Sequence, residues 1–227
     1  MPKALERRVR HHMNTKDIKH IIWDWNGTLV DDASFCVEII NQIRVKRSMP
    51  RITLDEYREA FDFPVIEYYR TIGFDLEKYS FEMLSDEFIS AYIASRKNLK
   101  LQPGAQEALN FFKARNVLQC MLSASQSEAL RQTLIEHNVH NFFHTVLGLD
   151  HHYADGKAHL GQTWLKNNHA SKDSVMFVGD TLHDLEVAET MGINCVLISN
   201  GHQSSERLAS SSARVVDSVH ELLALFN

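Results

Sequence analysis

Four stretches of this chain carry residues suited to handling a phosphoryl group. Asp24-Trp25-Asn26-Gly27-Thr28-Leu29 opens with a carboxylate directly after an apolar run. Ser123 closes the run VLQCMLS, and Lys157 sits in ADGKAHL. Gly179-Asp180-Thr181-Leu182-His183-Asp184 adds an acidic pair. Phosphoryl transfer needs a nucleophile, a cation to neutralise the phosphoryl oxygens and donors to hold them. A carboxylate at a strand end, a hydroxyl, a lysine and a second acidic pair suit that chemistry. Plainer readings compete at each position. Asp24 is alternatively a loop starter, although an unpaired buried acid is costly. Thr181 with Asp184 forms a T-x-x-D helix cap, which would also fix the loop that aims Asp180. Ser125 competes with Ser123, and its S-x-x-E spacing to Glu128 favours Ser125 as a helix N-cap. Lys166 and Lys172 compete with Lys157, which is favoured by following Gly156 and preceding a helix.

These residues need a frame that brings strand ends together. Residues 20–25, 117–123, 143–147, 174–178 and 194–198 are short apolar runs, as expected of parallel strands buried on both faces. Amphipathic segments alternate with them. Ala105, Ala108, Leu109 and Phe112 form one helical stripe, Leu130 and Leu134 a second, and Leu182, Leu185, Ala188 and Met191 a third that stops at Gly192. Such alternation predicts an α/β fold with a parallel sheet. Residues 33–100 break the rhythm. Phe35, Ile39 and Ile43, then Phe81, Leu84, Phe88 and Tyr92, follow helical spacing, and no strand is evident. That block is too long for a simple crossover. It reads as an inserted helical subdomain over the C-terminal end of the sheet, where open α/β folds bind ligands. The expected organisation is a peripheral arm (1–15), a core (16–32 and 101–227) and the helical insert (33–100).

The 227 residues, 44% of them hydrophobic, allow a substantial core. A net charge of −5, from 24 basic and 29 acidic side chains, argues against nucleic acid as a partner. Cys36, Cys120 and Cys195 show neither a disulfide framework nor a zinc spacing and read as reduced thiols of a cytoplasmic protein. The 13 histidines form no metal motif, and His151–His152 reads as part of a solvated loop. No apolar stretch is long enough to span a membrane. The N-terminus lacks the apolar region of a secretory signal, and Met13 is an alternative start.

The four motifs, in this order, resemble those of the haloacid dehalogenase-like superfamily, typically D-x-D-G-T-[LV] first and G-D-x-x-x-D last. The segments D-W-N-G-T-L-x-D-D and FPVIEYYRTIGFD look most like its phosphoglycolate phosphatase-related members with a helical C1 cap. The resemblance covers the chain from about residue 18 to its end. It implies a three-layer, doubly wound Rossmannoid core and a small phosphorylated metabolite as partner. It also assigns roles. Asp24 would attack phosphorus to form an aspartyl-phosphate. Mg²⁺ would be held by the Asp24 carboxylate, the backbone carbonyl of Asn26 and Asp180, with Asp184 direct or through water. Ser123, Lys157 and Thr28 would hold phosphoryl oxygens. Arg70, Tyr68 and Tyr69 could reach a substrate carboxylate, against a plainer reading as surface and core positions.

One position departs from the pattern. Most phosphatases of the superfamily carry an aspartate where this chain has Asn26, and that aspartate protonates the leaving oxygen and then activates water. An amide cannot exchange a proton near neutral pH, and losing a general acid/base costs about 10²–10⁴ in rate. Several consequences are open: another acid such as His183, a leaving group needing little protonation, water entering through the metal shell, or deamidation at Asn26-Gly27. The expected activity is a Mg²⁺-dependent phosphatase. The alternatives are a phosphate-binding or regulatory protein with impaired turnover, and a phosphomutase.

Overall fold

The computed structural model describes residues 14–150 and 156–227. The arm up to residue 13, including Met13, and the pair His151–His152 lie outside the described residues. In chain order the strands are β1 (His20–Trp23), β2 (Val30–Asp31), β3 (Lys100–Leu101), β4 (Leu118–Gln126), β5 (Thr145–Leu149), β6 (Val175–Gly179), β7 (Asn194–Ile198) and β8 (Arg214–Val216). The helices are α1 (Ala33–Val45), α2 (Leu54–Ala60), α3 (Val65–Thr71), α4 (Phe81–Ser95), α5 (Ala105–Ala114), α6 (Ser127–Glu136), α7 (Ala158–Asn168), α8 (Leu182–Met191), α9 (Ser205–Ala209) and α10 (Val219–Ala224).

Successive strand residues point to opposite faces, so an unbroken apolar strand needs cover on both. β1 meets that demand. Ile21 and Trp23 join a cluster with Ala108, Leu109 and Phe112 of α5, Leu134 of α6 and Leu222 of α10. Ile22 joins the opposite cluster, with Trp164 and Leu165 of α7 and Val187, Ala188 and Met191 of α8. The six-stranded sheet has the order β5-β4-β1-β6-β7-β8. All its pairings are parallel, which gives the expected three layers wound in both directions. β1 sits between β4 and β6, so the residues just past its C-terminal end emerge between two other strand ends.

Three details differ from the sequence reading. β4 runs on past Ser123 to Gln126, with an irregular register between Leu122 and Gln126. The edge strand β8 was not expected; three residues are too few for an alternating signal. β2 and β3 pair antiparallel, Val30 with Leu101 and Asp31 with Lys100. Two-residue strands leave no sequence period, yet this ribbon joins the points where the chain leaves for α1–α4 and returns from them. Those four helices share one apolar cluster that includes Ile39, Ile40, Ile43, Tyr57, Tyr68, Tyr69 and Leu84. Among the described residues, no helix is long and apolar enough to cross a membrane.

Phe112 is fully buried, its ring edge-on to Trp23 at 5.9 Å and to Phe226 at 4.9 Å. Phe112→Ala should therefore destabilise the fold by about 3–5 kcal/mol in urea denaturation. A loss below about 1 kcal/mol would mean that this face is not close-packed.

Candidate active site

The loop after β1 is shaped by its own backbone. The Asp24 N–H donates to the Val178 carbonyl at 2.9 Å, which extends the ladder with β6 by one residue. The Trp25 carbonyl accepts from the N–H groups of Leu29 and Val30, at 3.0 and 3.1 Å, and closes the loop. Gly27 has φ of +72°, and a Cβ there would lie 2.2 Å from Asp180 Oδ2, so only glycine fits. At the end of β6, Thr181 caps α8 and Asp184 completes a capping box. Asp184 Oδ2 accepts from the N–H groups of Asp180 and Thr181 and from the Thr181 hydroxyl, at 3.1, 3.0 and 2.8 Å. The T-x-x-D motif thus caps the helix and aims the acidic pair together.

The parallel sheet gathers these residues at one place. Asp24, Asn26, Ser123, Lys157, Asp180 and Asp184 all line a cavity of about 590 Å³. The Lys157 ammonium contacts Asp24 Oδ1 and lies 2.8 Å from Asp184 Oδ1. Asp24, Asp180 and Asp184 are buried, and each offers an oxygen within 4.8 Å of the others. Buried carboxylates that share one lysine carry excess negative charge, and all-oxygen donors of this kind suit a hard divalent cation. The Ser123 hydroxyl accepts from the Ser125 N–H at 3.1 Å, which leaves its own O–H able to donate to a ligand.

Two expectations need correction. Thr28 is fully buried and donates its hydroxyl to Asp180 Oδ1 at 2.9 Å, so it positions a carboxylate rather than facing a phosphate. Ser125 is not the N-cap of α6; Gln126 is, accepting from the Ala129 N–H at 2.9 Å, because β4 extends farther than expected. Arg70 takes the plainer surface position, half exposed, paired with Glu67 and away from the cavity, whereas Tyr68 and Tyr69 line it.

Asn26 is fully engaged. Its amide nitrogen donates to Asp32 Oδ2 at 2.6 Å and to the Tyr92 hydroxyl at 2.9 Å, and its carbonyl oxygen accepts from Ser125 Oγ at 3.0 Å. Asp32 is completely buried. It also accepts from the Gly27 N–H at 2.8 Å and the Tyr92 hydroxyl at 2.8 Å, and pairs with His202 Nε2 at 3.1 Å. The other His202 ring nitrogen lies 2.8 Å from the Tyr57 hydroxyl. Asp32, Tyr92, His202 and Tyr57 were given no role from sequence. The acid pair Asp31–Asp32 directly after the first motif was the available signal for Asp32.

Residues 21–198 match the family model described as haloacid dehalogenase-like hydrolase. The chain belongs to this family. A phosphoglycolate phosphatase of Vibrio parahaemolyticus is 25% identical, over 93% of this chain and 97% of its own length. A haloacid dehalogenase-like hydrolase of Streptococcus pneumoniae superposes with a TM-score of 0.72 at 20% identity, over 93% of this chain and all of its own. Protein tyrosine kinase A of Mycobacterium tuberculosis superposes with a TM-score of 0.75 at 20% identity, over 92% and 98% of the two chains. At such identities the superpositions establish the fold alone.

Within this haloacid dehalogenase-like site, electrostatics follow from burial. Burial pushes Asp24 up to about 8, aided by Asp184 and Asp180 and opposed by Lys157. Burial also raises Asp180, to about 6, against the pull of His202. Burial works the same way on Asp184, but Lys157 and Thr181 outweigh it and hold the group low. Burial would lower His202, yet Asp32 beside it lifts the ring to about 9, so it is charged at neutral pH. Asp24, Asp180 and His202 all bind protons more tightly folded than unfolded. Their stabilising contribution is therefore lost as pH rises toward and through their folded values.

Two outcomes follow. EDTA-treated protein should lose melting temperature as pH rises from about 5 to about 9, and a divalent cation should restore most at the top of that range; a flat profile would contradict the charge arrangement. Deamidation needs the Gly27 nitrogen to attack the Asn26 amide, but both groups are held by Asp32. Intact-mass and peptide analysis should find Asn26 unmodified, and a substantial deamidated fraction would show the loop to be freer than this.

Proposed function

We propose that the protein is a Mg²⁺-dependent phosphatase of a small phosphorylated metabolite in the cytoplasm, working through an aspartyl-phosphate on Asp24. One observation carries the reading. The Lys157 ammonium bridges the Asp24 and Asp184 carboxylates, with Asp180 in the same buried cluster, on the wall of a cavity large enough for a metabolite. The hydrolase family and the curated phosphoglycolate phosphatases at 23–25% identity support hydrolysis of a phosphomonoester.

In this reading Asp24 attacks phosphorus, and the alcohol leaves on the opposite side. Lys157 and Ser123 hold the phosphoryl oxygens, with Lys157 offsetting the charge that the nucleophile and phosphate bring together. Asp24, the backbone carbonyl of Asn26, Asp180 and Asp184 would hold Mg²⁺, which supplies charge neutralisation when bound. Thr28 and the His202 N–H keep Asp180 oriented through bonds of 2.9 and 2.7 Å. The α1–α4 layer acts as the cap that excludes water. A second reading has its own support. Both amide N–H groups of Asn26 are occupied, so the chain has the parts for phosphate capture while lacking the usual proton donor. That favours a phosphate-binding protein with slow turnover.

The test is phosphate release from a phosphomonoester panel with Mg²⁺, beside Asp24→Asn. Wild type should turn over, and the variant should lose at least about 10²-fold. Mg²⁺ should raise the melting temperature of wild type and have little effect on Asp180→Asn. Mg²⁺ stabilisation with no turnover above the Asp24→Asn control would select the binding reading.

A further inference from the structure

The cavity wall facing the candidate nucleophile is aromatic rather than cationic. Tyr57, Phe61 and Phe63 from α2 and the segment after it, Tyr68 and Tyr69 from α3, and Phe88 and Tyr92 from α4 all line it. Phosphoglycolate would bring a carboxylate into this space, and a buried carboxylate needs a cationic partner. Among the described lining residues, every cationic or potentially cationic side chain has a carboxylate within 4 Å, and His183 Nε2 is a buried ring nitrogen without a hydrogen-bond partner. Arg96 Nε lies 3.6 Å from Glu136, Lys157 serves Asp24 and Asp184, His202 pairs with Asp32, and His183 lies 3.4 Å from Glu186. The ring of His183 also stacks on Phe63, with centroids 4.6 Å apart. The wall suits a flat apolar group, since rings pack on rings by stacked or edge-on contact.

An independent observation concerns the leaving group. Both N–H donors of Asn26 are spent on Asp32 and Tyr92, so its amide neither protonates the departing oxygen nor hydrogen-bonds to it. A site without that proton favours an alcohol that departs as an anion. A phenol, with a pKa of about 10 like tyrosine, does so far more readily than an aliphatic alcohol, whose pKa lies well above that, near that of water.

We infer that the substrates are aryl phosphomonoesters, in which phosphate is esterified to a phenolic oxygen and the ring fills the cavity between the aromatic helices and the nucleophile. The inference rests on the phosphatase reading above. Asp24 Oδ forms a bond to phosphorus as the phosphorus–aryl oxygen bond breaks. The bonding pair leaves on the phenolate, which takes its proton from water. A second water then attacks the aspartyl-phosphate, its oxygen going to inorganic phosphate and its proton to solvent, and Asp24 is regenerated.

The test compares kcat/KM for phenyl phosphate, benzyl phosphate and phosphoglycolate with Mg²⁺, in wild type and Asn26→Asp. Phenyl and benzyl phosphate share a ring but differ in leaving group; benzyl phosphate and phosphoglycolate both release an aliphatic alcohol but differ in the ring. Wild type should prefer phenyl over benzyl phosphate by at least about 100-fold, the scale of a missing general acid. It should also prefer benzyl phosphate over phosphoglycolate by at least about 10-fold, a span one apolar group supplies. Asn26→Asp should narrow the phenyl-to-benzyl ratio while leaving the benzyl-to-phosphoglycolate ratio in place. If that variant does not fold, the two wild-type ratios decide. Phosphoglycolate matching or exceeding phenyl phosphate overturns this inference and leaves the phosphatase reading intact. Equal phenyl and benzyl values also overturn it. No release from any of the three, or from the wider panel, above Asp24→Asn overturns the phosphatase reading itself and this inference with it.

Discussion

The site is organised around one electrostatic problem: Asp24, Asp180 and Asp184 are buried together with a single ammonium, that of Lys157, among them. Carboxylates taken out of water are costly unless paired and hydrogen-bonded. Much of the local architecture answers that cost. Asp184 is held by two backbone N–H groups and a hydroxyl. Asp180 is held by Thr28 and the His202 N–H. Among the described residues, the Asp24 side chain has Lys157 as its partner, and it is the most strongly raised of the three. Asp24 is also the nucleophile of the proposed chemistry, and a bound cation would hold it ionised.

A second buried charge pair lies beside the first. Asp32 and His202 neutralise each other, and Asp32 also organises Asn26, Gly27 and Tyr92. An aspartate at position 26 would place two carboxylates where Asn26 Nδ2 now lies 2.6 Å from Asp32 Oδ2. Like charges at that distance cannot both ionise. The amide at 26 and the acid at 32 are therefore complementary: the amide supplies the donors that a buried Asp32 needs. Asn26 is built into the loop rather than left over in it.

Much of this was legible in sequence because parallel strands buried on both faces leave unbroken apolar runs, and the chemical residues follow those runs. Asp24 after β1, Ser123 within β4 and Asp180 after β6 could be placed in that way. Lys157 was the hardest of the motif residues to choose, since a lone lysine in a polar loop carries no period; its contact with Asp24 exists only through the fold. Asp32, Tyr92 and His202 could not be joined on paper. They come from a helix start, a cap-side helix and a loop after β7, and no local pattern links them. The ribbon β2–β3 and edge strand β8 were missed for a related reason, because strands of two or three residues are shorter than any period a sequence can display.

The aromatic layer and the altered loop meet at Tyr92. This residue belongs to α4, lines the cavity, donates to Asp32 and accepts from Asn26. Tyr57 of α2 makes the corresponding contact with His202. The helices that shape the cavity are thus hydrogen-bonded to the residues that replace the usual proton donor. Withdrawing α4 would break two bonds to this loop, one of them to a charged acceptor, at a cost of about 2–4 kcal/mol. That is enough to hold Tyr92 on Asn26 and Asp32 while a ring packs beside it. Recognition of the alcohol and the state of Asn26 are in this way one structural matter: while Tyr92 stays on the loop, a ring packed against it meets an amide whose donors are already committed.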